Sequence, residues 1–253
     1  MLKFFGKIRY TLMETGKTGR YFKYAIGEIV LVVIGILIAL QINNWNENNK
    51  LKQQETTYYC KIVEDLNADL NNIEQSIQSE KNRQNTTRRL LTNLMKIQDN
   101  KSIILKGYLS TVRSFNFITT KAAIQDITSS GKLENLRRKE LKNAILNFYV
   151  EQDYLLSIIK LNDSQLMQEI FNYPDFTDFG IQEIPVYQDV YGEELQNLLV
   201  SIEWQKDPNS KHFKHLRNHM NMTMVICERK QDILISIKQK TINLKALIEP
   251  SCN

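Results

Sequence analysis

The sequence predicts an all-α protein: one N-terminal transmembrane helix continuing into a long helix, then an extracytoplasmic antiparallel helical bundle. Three observations predict it. Ala25 to Ile42 reads AIGEIVLVVIGILIALQI, an apolar run interrupted only by Glu28 and Gln41 near its ends. At about 1.5 Å per residue such a run crosses a bilayer core of about 30 Å with little to spare. Neither glycine nor proline occurs from Ile36 to Lys106, so nothing there breaks a helix. Later apolar residues recur at spacings of three and four, and no strand pattern of comparable strength competes with them.

The expected boundaries are a basic cytoplasmic segment over 1–24, the membrane helix over 25–42 and a periplasmic helical domain over 43–253. Residues 1–24 hold Lys3, Lys7, Arg9, Lys17, Arg20 and Lys23 against Glu14 alone. Lysine and arginine stay on the cytoplasmic side, which puts the amino terminus inside an inner (cell) membrane and everything after Asn43 outside it. Trp45 stands where an interfacial aromatic anchors the outer boundary. The exit IALQINNW lacks the small-residue pattern of a signal-peptidase site, so the span is expected to remain as an anchor. Of the formal charge of +5, the first 24 residues account for all five. Glu28 removes one, leaving +1 for the rest. The basic balance therefore reflects topology and anionic lipid, and it argues against a nucleic-acid partner.

Leu2, Phe5, Ile8 and Leu12 fall at helical spacing among lysines and arginine, as in a short helix lying on the inner leaflet. Gly16 and Gly19 then suggest a turn into the span. Within it Gly27, Leu31, Gly35 and Ala39 recur every fourth residue, and Gly35 with Ala39 forms a small-xxx-small pair that another helix can approach closely. The competing reading is that such residues are simply common in membrane helices. Glu28 divides in the same way between an interfacial acid held by Lys23 or Tyr24 and a contact to a partner protein.

Ile62, Leu66, Leu70, Ile73 and Ile77 make a stripe that a neighbouring helix would cover. It fades across SEKNRQNTTRR, where the helix is expected to bend, fray or stand free, and returns at Leu90, Leu91 and Leu94. Ser102 is the expected cap of a helix ending near Arg113, and Thr120 of one stopping at Gly131. Asn135 is the expected cap of a helix carrying Leu141, Ile145, Phe148, Leu155, Ile159 and Leu166 as far as Phe171. Tyr173 to Gly192, with two prolines and several aromatics, reads as a long ordered loop, followed by a short helix from Glu193 to Trp204. A last helix runs from Lys211 to Ile248. Its seam carries Phe213, Leu216, Met220, Cys227, Leu234, Ile237, Leu244 and Ile248, with Thr223, Lys230 and Thr241 at the remaining steps. The long helix after the membrane is its natural antiparallel mate, which would return the carboxyl terminus towards the bilayer.

The run YAIGEIVLVVIGILIALQINNWNE, Tyr24 to Glu47, resembles the signature of an uncharacterised Bacteroidota family of single-pass membrane proteins, a domain of unknown function. The turn Ser129-Ser130-Gly131 and the helix reaching Phe148 and Tyr149 are similar to that family's continuation. The resemblance implies location and helical fold, and it brings no catalytic residue.

For chemistry the sharpest candidate is KHFKHLRNHMNMTMVIC. His212, His215 and His219 share a helical face, and imidazoles at i and i+4 can chelate zinc or copper. Against this, Met220 and Cys227 already belong to the apolar seam and no carboxylate lies between the histidines. The expected reading is structural, with no cofactor, and metal binding is its rival. Cys60, Cys227 and Cys252 are an odd number. A Cys60–Cys252 bond is conceivable if the two helices are antiparallel, with buried single thiols as the default. Ser130-Gly131-Lys132 lacks the rest of a phosphate loop, and Asp175, Asp178 and Glu183 lack calcium-loop spacing. No hydrolase, metalloprotease or dinucleotide motif is present, so no catalytic residue is expected. The function implied is a non-catalytic scaffold or accessory subunit, in contact with the bilayer and with a protein partner or further copies of itself. The alternative is a sensor-like module holding a ligand or metal in the periplasmic domain.

Overall fold

The computed structural model describes residues 10, 18–96, 100–199 and 201–252. The expected inner-leaflet helix falls almost wholly outside them. All described secondary structure is helical. The helices are α1 (Thr18–Met95), α2 (Lys101–Val112), α3 (Ala122–Ser129), α4 (Lys139–Phe171), α5 (Pro185–Leu198) and α6 (Lys211–Ile248), with short 3-10 turns in the connections after α3, α4 and α5 and at the end of α6. Gly19 lies inside α1, so no turn separates it from the span. The chain divides into two units, Met1–Thr56 and Thr57–Asn253.

In the first unit, the apolar stretch of α1 meets the length and composition needed to cross a membrane, and none of it is buried against protein. Side chains from Ile29 to Ile42 stand exposed all round the helix, which is the pattern of a surface meant for lipid.

In the second unit, apolar and polar layers alternate along α1. Tyr59, Ile62 and Leu66 begin an apolar layer with Ile127, Ile145, Phe148 and Ile248. Ile73 and Ile77 make a second with Phe117, Ile159, Leu234 and Ile237. Leu90 and Leu94 make a third with Tyr108, Ile170, Trp204, Phe213 and Met220. Between the first two layers lies Asp69. It takes the inward place expected of Leu70, which is half-buried. Its carboxylate accepts from the Thr120 backbone N–H at 2.6 Å, from the Thr119 hydroxyl at 3.0 Å and from Gln152 Nε2 at 3.3 Å.

The polar interval SEKNRQNTTRR neither frays nor stands free: α1 continues through it, and Glu80, Arg83 and Thr87 point into the core. A polar run is compatible with burial when its charges find partners, and the partners come from segments distant in the chain.

Four helix starts differ from expectation. α2 is capped by Asn100, whose side chain accepts from the Ile103 N–H at 3.1 Å, rather than by Ser102. Thr120 does not cap α3. Asp65 of α1 accepts from the Ala123 N–H at 2.7 Å, so a carboxylate from another helix serves the orphan donors. Asn135 ends a 3-10 turn, and α4 begins four residues later at Lys139. The Tyr173–Gly192 stretch is not a loop throughout, since α5 starts at Pro185, the fixed φ of which suits a first helical turn. The Glu193–Trp204 helix is thereby replaced: Gly192, at φ 70°, kinks α5, and Trp204 lies in a separate 3-10 turn. Gly131, at φ 69°, stops α3 as expected of a left-handed terminator.

α6 starts at Lys211 and ends at Ile248, with every expected seam residue buried, Thr223, Lys230 and Thr241 included. It runs antiparallel to α1, since Cys60 meets Cys252, Glu74 meets Lys238, Glu80 meets Lys230 and Gln84 meets Glu228. It also runs antiparallel to α4, where Glu151 pairs with Lys240 at 2.6 Å, Asp163 with Lys230 and Leu166 with His219. Cys60 and Cys252 form a disulfide instead of remaining separate thiols, while Cys227 is a free, buried thiol. Burial pushes that thiol up to about 12, which leaves it protonated and inert.

Candidate functional site

The small-residue face lies in the first unit. Gly27, Gly35 and Ala39 are exposed on α1 and Glu28 is half-buried. A Cβ placed on either glycine would meet nothing within 4 Å, so the face is open to a second helix.

The three histidines fall on the first quarter of α6, whose N-terminus is set by Ser210: its hydroxyl accepts from the Phe213 N–H at 3.2 Å. Their surroundings differ. His212 is buried beneath the turn after α4, with Nδ1 2.8 Å from the Tyr173 hydroxyl and Nε2 3.6 Å from Asp178. His215 stacks on the Tyr173 ring at 3.9 Å between centroids. His219 is 4 % exposed, lies edge-on to Tyr108 and has Nε2 3.0 Å from the Leu166 carbonyl. A carbonyl only accepts, so Nε2 carries the proton, and Nδ1 is a buried acceptor with no partner within the described residues. Burial lowers the pKa of all three rings, which keeps them neutral near pH 7.

Side by side on α6, His215 and His219 open onto a cleft of about 560 Å³ against α4, where Gln165, Gln168, Glu169 and Asn172 supply polar groups. His212 is turned away into the aromatic corner of Tyr173, Phe179 and Trp204. Among the described residues, no group of three or more histidine, cysteine, aspartate or glutamate side chains is placed to hold a metal ion.

A second constellation lies deeper, and the sequence reading passed over most of it. Lys230 is 2 % exposed in the middle of α6. Its Nζ lies 3.0 Å from Glu80 Oε1 and 3.1 Å from each of Asp163 Oδ2, Ser114 Oγ, Asn116 Oδ1 and the Phe115 carbonyl. Arg83 lies beside it, donating to the Thr111 carbonyl at 2.6 Å, the Val112 carbonyl at 3.2 Å and Glu80 Oε2 at 3.3 Å. Two cations and two carboxylates balance, which is the condition for tolerating such charge away from water. The cluster joins α1, α4, α6 and the segment after α2. One signal for it was visible: a lysine on a seam whose other steps are apolar or threonine.

Lys101, Glu183 and Ser201 form a third group. Lys101 Nζ pairs with Glu183 at 2.8 Å and with the Ser201 hydroxyl, and Glu203 lies 3.6 Å away. Two carboxylates thus flank one ammonium, and Lys101 ties the start of α2 to the segments around Glu183 and Ser201.

A family model described as Family of unknown function (DUF6090) matches residues 28–172, more than half of the chain. The matched residues take in Glu80, Arg83 and Asp163 and end before the three histidines and Lys230. No curated protein and no solved structure matches the chain.

Proposed function

The chain belongs to DUF6090, a family of unknown function, and from that premise we propose that it is a single-pass inner-membrane protein with a cytoplasmic amino terminus. Its periplasmic part, 43–253, is an antiparallel helical bundle that acts without catalysis, as a scaffold or accessory subunit binding protein partners or further copies of itself. The observation that carries this reading is the exposed apolar run Ala25 to Ile42 directly after six bases and one acid. The Cys60–Cys252 disulfide supports export, since such bonds persist outside the reducing cytosol. The open glycine face of α1 supports association within the bilayer.

The test is labelling of intact cells with a membrane-impermeant maleimide. Background is low because Cys227 is buried and the other two cysteines are bonded. A Ser157→Cys variant labels from outside and a Thr11→Cys variant only after lysis; the reverse pattern overturns the orientation.

The rival reading, a sensor-like module, draws on the cleft holding His215 and His219, where His219 Nδ1 is an unused acceptor. Zinc or copper titration of the purified protein tests its metal form. Affinity lost in a His215→Gln, His219→Gln variant supports it, and affinity unchanged there removes it.

A further inference from the structure

Phe115 and Ile118 are 79 % and 80 % exposed, yet the segment carrying them is firmly held. Ser114 donates to Asp163 at 2.7 Å, and the Phe115 carbonyl and Asn116 side chain accept from Lys230. Phe117 is buried between them, and Thr119 and Thr120 both donate to Asp69. Backbone pinned on both sides thus presents two large apolar side chains to water. Rigid, preorganised aromatic side chains are what interfaces use as anchors, because little entropy is lost when they bind.

Beside them runs a groove of about 390 Å³, walled by Asn72, Ser76 and Ser79 of α1 on one side and by Phe115, Phe117 and Ile118 on the other. No residue lining it is charged. We propose that this face docks a second copy of the chain about a two-fold axis, Phe115 and Ile118 of each copy seating in the groove of the other. Ridge and groove are neighbours on one surface, as an isologous contact requires. The uncharged lining brings no like charges together across the axis. Burying a phenylalanine removes about 150–250 Å². Two of them, with two isoleucines and the groove walls, give on the order of 1,000 Å², the low end for specific interfaces. The free domain is therefore a weak dimer, and pairing becomes substantial where anchors confine both copies to one bilayer and raise their effective concentration. The inference rests in this respect on the membrane-anchored reading above.

The experiment uses full-length protein in native membranes, a Ser79→Cys variant and a bis-maleimide crosslinker. A crosslinked homodimer is expected, reduced roughly tenfold or more by adding Phe115→Asp or Ile118→Asp. Both side chains are exposed, so thermal unfolding stays unchanged; should one variant misfold, the other carries the test. A monomer in carbonate-washed membranes, a dimer indifferent to both substitutions, or crosslinks only to another protein would each overturn the proposal. Loss of the chain from the washed membranes would instead remove the anchored reading beneath it.

Discussion

Lys230 sits at the centre of the largest buried charge cluster described in the second unit. Its ammonium is the counter-charge within 3.1 Å of both Glu80 and Asp163. A Lys230→Met variant keeps the volume and strands carboxylate charge in the core, and is expected to cost about 3–5 kcal/mol in urea unfolding. Adding Glu80→Gln should recover part of that loss, because the two residues are coupled. If the single variant is as stable as the parent, the cluster is ornamental. The histidines give a second residue-scale expectation. Burial lowers their pKa below the ordinary 6.5, so the unfolded chain takes protons more readily than the folded one. The stabilisation is then complete above about pH 6.5 and is lost as the pH falls from there through the depressed folded values. The melting temperature should drop from pH 7.5 to 5.5, and by less in the His215→Gln, His219→Gln variant. This layer of the structure was only partly legible. Lys230 announced itself on a largely apolar seam, but Glu80 and Arg83 sit in a run as polar as any surface, and their burial is completed by partners distant in the chain: Lys230, Asp163 and the Thr111 and Val112 carbonyls.

At the scale of elements, legibility followed periodicity. α6 and the end of α4 emerged where expected because their inward positions repeat without interruption. The starts did not, because α3 is capped by Asp65, a residue 58 positions away, and local sequence cannot reveal a cap supplied by another helix. α5 was hidden by the same Pro185 that begins it, since proline is a breaker inside a helix and a favoured residue in its first turn. Gly107, unremarked in the sequence, has a packing reason: a Cβ there would overlap the Leu90 side chain, so α2 lies close against α1. The Cys60–Cys252 bond, left open by the sequence, ties the tail after α6 to α1 across a separation of 192 residues. Closing so long a loop restricts the unfolded chain, and a Cys252→Ser variant should lose about 2–5 kcal/mol, an effect that reductant reproduces in the parent. Equal stability with and without reductant would mean that the bond constrains nothing.

For the molecule as a whole, the apolar run and the bases before it outweigh every other feature, and both were readable from composition alone. The sequence offered no catalytic motif. Glu80, Arg83, Asp163 and Lys230 neutralise one another, Lys101 is held by two carboxylates, and His212 is turned away from the cleft that His215 and His219 share. Two apolar features face outward: the glycine face of α1 and the pinned Phe115 and Ile118. Both suit contact with other proteins. We propose above all that the amino terminus stays in the cytosol and that the helical domain lies across the membrane from it. The most direct measurement is the activity of alkaline phosphatase fused after Asn253, compared with a green fluorescent protein fusion at the same point. Active phosphatase and a dark fluorophore are predicted; a fluorescent fusion with inactive phosphatase would contradict the account.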